Sequence, residues 1–221
     1  MGSESLKPIE VWGKRGPNPP KIIMILEELG VPYKIHDIGF DKIKEPEYLK
    51  VNPNGRIPAI QDPNRNDIVI WESGAIIEYV LEVYDTENKI SFARGSEEYF
   101  HAKQWLFYQV SGQGPYYGQG VWFLKYHPEK VPSATARYHK EVARVHGVLE
   151  GHLAKQKGNS SDGPWMVGNK FSFVDLAFYP WQKTAAAILS DTEDFKPDDF
   201  PLVKDWVSRV ASRPATKVAF E

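Results

Sequence analysis

Through its first 84 residues the chain alternates short apolar runs with one-sided amphipathic stretches, and beyond residue 95 only the helical period persists. Glu10–Gly13 is long enough only for a short strand. Gly16-Pro17-Asn18-Pro19-Pro20 is a rigid turn that sets Asn18 where a helix N-cap is expected, with Pro19 at the tolerated first helical position. Lys21–Leu29 places Ile22, Ile25, Leu26 and Leu29 on one helical face, and Gly30 closes it. Tyr33–Ile38 alternates as a strand, and Glu47–Lys50 forms a short helix in a mixed connector. Ile57–Ile60 and Ile68–Trp71 flank a turn carrying Pro63, Asn64, Asn66 and Asp67, a hairpin with a loop longer than the tight type. Arg56-Ile57-Pro58 opens the first strand; a proline there removes a ladder donor, so it belongs at a turn, where a cis bond is an option. Glu72-Ser73-Gly74 then runs into an amphipathic helix with Ile76, Ile77, Val80, Leu81 and Tyr84. The order β-α-β, connector, β-β-α predicts a parallel pair with a right-handed crossover and an antiparallel hairpin beside it.

Asp85–Gly95 has no sustained period and marks a domain boundary. Ser96–Tyr126 predicts a long helix kinked at Ser111-Gly112-Gln113-Gly114-Pro115. A second long helix spans Ser133–Lys157, with Val142, Val145, Leu149 and Leu153 as its stripe. Ser172-Phe173-Val174-Asp175 has capping-box spacing, with aspartate where Glu or Gln is usual. The helix after it, Leu176–Leu189, has little polar character and predicts a buried centre; Asp199–Ser212 is a last amphipathic helix around Val203, Trp206 and Val210.

Composition narrows the chemistry. The 221 residues contain no cysteine, which excludes a disulfide framework, a Cys-based zinc site, a thiol nucleophile and an intrinsic redox pair. A formal net charge of -2 gives no bulk attraction to nucleic acid or acidic membranes. The leader MGSESLKP has no apolar signal core and no run reaches spanning length, so the chain reads as soluble and intracellular. No His pair shares a helix face with a carboxylate, and no metal site is expected. No Gly-rich phosphate fingerprint follows the first strand. What Val51–Val80 does offer is an extended edge and, close by, a helix start whose N–H groups attract carboxylates, with Ser73 as the cap. Such a segment suits a small peptide bearing a carboxylate, although an ordinary hairpin and capped helix would share the pattern.

Three motifs in this order resemble the soluble glutathione S-transferases: Asn52-Pro53-Asn54-Gly55-Arg56-Ile57-Pro58-Ala59, Trp71-Glu72-Ser73-Gly74-Ala75-Ile76 and Ser172-Phe173-Val174-Asp175-Leu176-Ala177. Gly16-Pro17-Asn18, Gln109–Pro115 and Gly118-Gln119 look like the fungal branch related to the yeast nitrogen-catabolite regulator that forms prions. The resemblance implies an α/β plus all-α architecture: a thioredoxin-like glutathione-binding domain over 1–86 and a helical-bundle domain over 96–221 that contributes the electrophile site. It implies glutathione as co-substrate and no metal, with Ile57 before Pro58 lending its backbone to the cysteinyl part. Glu72 would take the γ-glutamyl ammonium and Ser73 its carboxylate; Lys44 and Arg56 are candidates for the glycine carboxylate, with a simple surface charge as the alternative for Arg56. Asp175 would be a folding and capping residue. A cytoplasmic homodimer is implied as well.

A free thiol has a pKa near 8.5, so an enzyme that uses it must favour the thiolate. Familiar branches place a Tyr, Ser or Cys by the first helix, whereas this chain has none between Val11 and Lys21. Asn18 matches the position, and its amide can donate to a thiolate but cannot take its proton. The helix start would add positive partial charge, and Lys14 and Arg15 a longer-range field. Asn18 serving only as a cap is the alternative. For a small hydrophobic electrophile the expected contacts are Tyr108, Gln113, Tyr116, Tyr117 and Trp122, although aromatics at helical spacing are also core or dimer-interface residues. The activity implied is glutathione transfer in detoxification or fungal secondary-metabolite tailoring. A glutathione-dependent isomerase or peroxidase would need the same residues, and a non-catalytic glutathione-binding regulator is the rival class.

Overall fold

The computed structural model describes residues 6–158, 160–189 and 195–221; the leader Met1–Ser5 lies outside them. The chain divides into two compact units, Met1–Ser91 with Pro214–Glu221, and Phe92–Arg213.

The first unit is a four-stranded mixed sheet with helices. Its elements are β1 (Ile9–Trp12), α1 (Pro19–Leu29), β2 (Tyr33–His36), α2 (Pro46–Leu49), β3 (Ala59–Asp62), β4 (Ile68–Trp71) and α3 (Ser73–Tyr84). The strands lie in the order β2-β1-β3-β4, with β1 parallel to β2 and antiparallel to β3, and β3 antiparallel to β4. This is the thioredoxin-like arrangement that the element order predicts. Ile9 and Val11 of β1 are buried, as are Ala59 and Ile60 of β3, and Ile22, Ile25 and Leu26 of α1 join Ile76, Ile77 and Val80 of α3 in the core. The expected strand Ile57–Ile60 begins two residues later, because Pro58 brings no ladder donor and the β1–β3 register starts with Trp12 opposite Ala59.

Helix α1 departs from the one-sided reading. Every residue from Pro19 to Leu26 is buried, including Lys21, Ile23 and Met24 off the predicted stripe. At the far end of β3, the buried carboxylate of Asp62 accepts from Tyr79 Oη at 2.7 Å and Tyr84 Oη at 2.5 Å, tying the hairpin to α3.

The second unit is helical: α4 (Glu97–Tyr108), α5 (Gly114–Val121), α6 (Pro132–Gln156), α7 (Phe173–Ile188) and α8 (Pro201–Ser212). The predicted kink is a π-helical turn, Gln109–Gln113, and a second such turn, Trp122–Tyr126, follows α5. The stripe Val142, Val145, Leu149 and Leu153 of α6 is fully buried, and α7 is buried from Phe173 to Gln182. The Asp175 carboxylate takes the Ser172 N–H at 2.8 Å, the Met166 N–H at 3.0 Å and the Trp206 indole N–H at 2.9 Å, while Ser172 Oγ accepts from the Val174 N–H. The box thus caps α7 and fastens α8 to it.

The expected second domain, 96–221, ends early. The short helix α9 (Pro214–Ala219) belongs to the first unit, where Ala215, Thr216 and Ala219 are buried and α9 packs on α1. Arg213-Pro214 stops α8 as the sequence indicates, but the residues after the proline return to the other unit.

Candidate functional site

In the first unit the end of β1, the start of β3 and the head of α3 carry the predicted binding residues. The Ile57–Pro58 bond is cis. Gly13, at φ 103°, lets the end of β1 approach Ile57: a Cβ on Gly13 would lie 2.8 Å from Ile57 Cβ. The Asn52–Arg56 turn is fixed through its last carbonyl, since Arg56 O accepts from Tyr48 Oη and Asn52 Nδ2, each at 2.7 Å. Lys44 Nζ donates to Asn54 O at 2.9 Å across the same turn. Lys44 and Arg56 both have exposed side chains, so two cations stand in water beside the half-buried Ile57.

At α3 the structure revises the capping reading. Glu72, not Ser73, occupies the N-cap position, with no side-chain cap bond and φ 73°. A left-handed backbone at a non-glycine residue typically costs on the order of 1–3 kcal/mol and marks functional sites. Ser73 is the first helical residue and is buried, and its hydroxyl receives a hydrogen bond from Lys21 Nζ at 3.4 Å. The first intrahelical bond runs from the Ile76 N–H to Glu72 O, so the N–H groups of residues 73–75 head the helix with no side chain capping them. Uncapped donors at a helix N-terminus are where a carboxylate is favoured. Exposed Glu72 places a carboxylate at the same end.

Lys21 is the member that the sequence pattern does not expose. It is 1% exposed, and burial lowers its pKa to about 7 against the opposing pull of Glu72. Its one sequence signal is the apolar Ile23 and Met24 beside it, which make α1 apolar nearly all round, the mark of a buried helix.

Asn18 is half-buried at the start of α1 with helical backbone angles, and its side chain makes no cap bond. The reading of Asn18 as a side-chain cap is therefore overturned, and the helix start offers few peptide N–H donors beside it. Pro19 and Pro20 fill the first helical positions and have no N–H, while the Lys21 N–H bonds to Asn18 O at 3.3 Å. The α1 start contributes its dipole and the Asn18 amide. Arg15 faces Asp37 at 3.6 Å on the surface, where its field is screened.

In the second unit the five expected electrophile contacts separate into two groups. Gln113 and Tyr117 are fully buried in the bundle. Gln113 accepts from Gln109 Nε2 at 3.0 Å and donates to Phe178 O at 3.3 Å, holding the π turn to α7. Tyr117 stacks on His146, with Oη 2.7 Å from Nδ1. Both are core residues, because a fully buried polar group is retained by its internal partners. Trp122 is exposed and Tyr108 and Tyr116 are half-buried, with the Tyr108 hydroxyl itself buried: Tyr116 lies under the Arg144 guanidinium at 5.8 Å, and Trp122 donates to His127 Nδ1 at 3.3 Å. Burial raises the Tyr108 hydroxyl pKa and Arg144 opposes the rise. Among the described residues no cluster of three or more His, Asp or Glu side chains is arranged to hold a metal, and no helix is long and apolar enough to cross a membrane.

Comparison with known proteins gives the same division. Residues 7–82 match the family model for the glutathione S-transferase N-terminal domain and residues 115–214 that for the C-terminal domain. The chain is 55% identical to the glutathione S-transferase-like protein gedE of Aspergillus terreus, over 96% of this chain and 94% of that protein. It is 32% identical to the transcriptional regulator URE2 of Saccharomyces cerevisiae, over 91% of this chain and 64% of the regulator. The glutathione transferase URE2P6 of Phanerochaete chrysosporium, solved with oxidised glutathione, superposes with a TM-score of 0.89 at 46% identity, covering 97% of this chain and 95% of that one.

Proposed function

The chain belongs to the glutathione S-transferase family, and from that premise we propose that its first unit binds glutathione and activates the thiol for addition to a small hydrophobic electrophile. The observation that carries the reading is the head of α3. Its N–H groups have no side-chain cap, a buried lysine stands behind Ser73, and an exposed carboxylate stands at Glu72. One end of that arrangement suits a carboxylate and the other an ammonium, the two charges that a γ-glutamyl group presents together. Ile57, before the cis-proline, would pair its peptide groups with the cysteinyl residue, and Lys44 and Arg56 would meet the glycine carboxylate.

The sulfur would then lie by Asn18. The Asn18 amide donates to the thiolate, the proton leaves to solvent, and the α1 dipole favours the anion by up to about 2 kcal/mol. This is stabilisation by fixed dipoles rather than general-base catalysis. The thiolate forms a carbon–sulfur bond as the electrophile loses its leaving group or takes a proton on carbon. Tyr108, Tyr116 and Trp122 are the side chains offered to that second substrate, in detoxification or metabolite tailoring. A homodimer in the cytoplasm completes the reading; exposed Phe100 and Phe107 on α4 supply apolar surface for such contact, and light scattering tests the dimer.

A second reading, a glutathione-binding regulator without turnover, is favoured by one observation: Asn18 offers an amide where a hydroxyl or thiol is familiar. Calorimetric titration with glutathione and a conjugation assay with an aryl halide separate the two. Absence of binding at millimolar glutathione would sink both, and binding without turnover on aryl halides or hydroperoxides would favour the regulator. Ser73→Ala is expected to weaken glutathione binding roughly tenfold, the loss of one charge-assisted hydrogen bond of about 1.5 kcal/mol. Asn18→Ala should lower kcat with little change in Kd; full turnover in that variant would remove Asn18 from the sulfur site.

A further inference from the structure

Lys21 and Ser73 are 52 residues apart in sequence, yet the Lys21 ammonium nitrogen lies 3.4 Å from the Ser73 hydroxyl in the first unit. One comes from the first turn of α1, the other from the first residue of α3, and these two helices pack together. Both side chains are buried, Lys21 almost completely. A lysine in such surroundings is held between its two forms, since burial favours the neutral amine and Glu72 favours the cation. The other ionisable groups on helices packed against α1 are Glu78, Tyr79, Glu82 and Tyr84 of α3 and the exposed Lys217 of α9. Tyr79 and Tyr84 are committed to Asp62, and the Glu72 carboxylate favours the Lys21 cation.

The direction of the Lys21–Ser73 hydrogen bond depends on that proton. A neutral amine has a lone pair that can take the seryl hydrogen. An ammonium has only donors, so it must donate to Oγ, and the seryl hydrogen is then left to turn toward an arriving acceptor. Building on the reading that Ser73 receives the γ-glutamyl carboxylate, we propose that Lys21 is a positioning residue for this subsite, taking a proton from solvent as the carboxylate binds and thereby turning the Ser73 hydroxyl outward as a donor. The bound carboxylate and the ammonium stabilise each other, so the cation is favoured more in the complex than in the free protein. Glutathione affinity and protonation are linked: ligand binding raises the Lys21 pKa from about 7, protons are taken up above that value, and affinity falls as pH rises through the same range.

The test is calorimetric titration with S-methylglutathione, whose blocked sulfur has no proton to release. It is run in buffers of differing ionisation enthalpy, at about pH 6 and about pH 7.5, on either side of the Lys21 midpoint. The expected result is little proton uptake at the lower pH and roughly half a proton or more at the higher one, with Kd several-fold weaker there. Lys21→Met should abolish the pH-dependent uptake and weaken binding at the lower pH by roughly tenfold. Binding of S-methylglutathione to the unmodified protein without uptake at about pH 7.5 would overturn the proposal. So would equal uptake in Lys21→Met. The unmodified protein decides the matter even if that variant does not fold. No binding of S-methylglutathione at either pH would instead remove the glutathione reading on which the proposal stands.

Discussion

His146 is buried on α6, with Nδ1 2.9 Å from Val142 O and 2.7 Å from Tyr117 Oη. A carbonyl can only accept, so Nδ1 carries the hydrogen and the Tyr117 oxygen is its second acceptor. Burial lowers the imidazole pKa to about 4, with the Val142 carbonyl opposing. The unfolded chain binds this proton near its ordinary value of about 6.5, so between about 6.5 and 4 the unfolded state holds more protons and stability falls as pH falls. Over that interval, at about 1.4 kcal/mol per unit, the loss reaches about 3 kcal/mol. His146→Phe should flatten this part of the acid limb, as read by urea unfolding at a series of pH values; an unchanged slope would mean that His146 stays charged when folded. At this same scale the proposed binding residues divide by how they signal themselves. From spacing alone Glu72-Ser73 reads only as a helix start, whereas the turn at Ile57-Pro58 is legible because a proline at a strand entrance lacks the ladder donor. Lys21 is not, because a lysine one residue before an apolar stripe looks like any solvated helix charge until tertiary packing buries it. Gln113 and Tyr117 mislead for the converse reason: polar side chains beside a helix break suggest a pocket, but their partners lie on helices distant in sequence.

Elements are legible where the hydrophobic period is unbroken and least so where a backbone irregularity decides the geometry. The stripe of α6 and the capping box of α7 read directly from residue spacing. The Gly112–Pro115 break predicts a kink, but the chain absorbs it as a π turn, held by Gln109 bonding Gln113 and Gln113 bonding Phe178 O. A π turn inserts one residue into the helical repeat, and no residue type announces it. The capping box carries the prediction at this scale. Burial pushes the Asp175 carboxyl pKa up, and bonds from the Met166, Trp206 and Ser172 donors hold it back. Removing the carboxylate leaves those donors buried without an acceptor, each typically costing about 1–3 kcal/mol. Asp175→Ala should therefore lower unfolding free energy by about 3–5 kcal/mol, at the severe end for single substitutions. Ser172→Ala removes only one cap acceptor, at about 1 kcal/mol. Equal losses for the two in denaturant titrations would mean that Asp175 acts as a simple cap and not as the fastening of α8 to α7.

For the whole molecule, the boundary between units is legible because the period disappears over Asp85–Gly95, and the division falls at Ser91–Phe92 within it. The return of Pro214–Glu221 to the first unit is not, because eight residues with a single helical turn or so carry too little pattern to show where they pack. That return has a measurable consequence. Ala215, Thr216 and Ala219 are buried where α9 lies on α1, the helix that carries Asn18 and Lys21. A chain ending at Arg213 would expose the α1 surface beneath them. At about 0.8 kcal/mol for each buried carbon, loss of the three buried Cβ groups alone should cost the first unit about 2 kcal/mol. The α6 stripe belongs to the other unit. Hydrogen exchange should thus show faster opening of the α1 amides in the shortened chain, by roughly thirtyfold for about 2 kcal/mol, with α6 amides little changed. Unchanged α1 protection would mean that α9 rests on the first unit without supporting it, and an equal loss in α6 would mean that the two units open together.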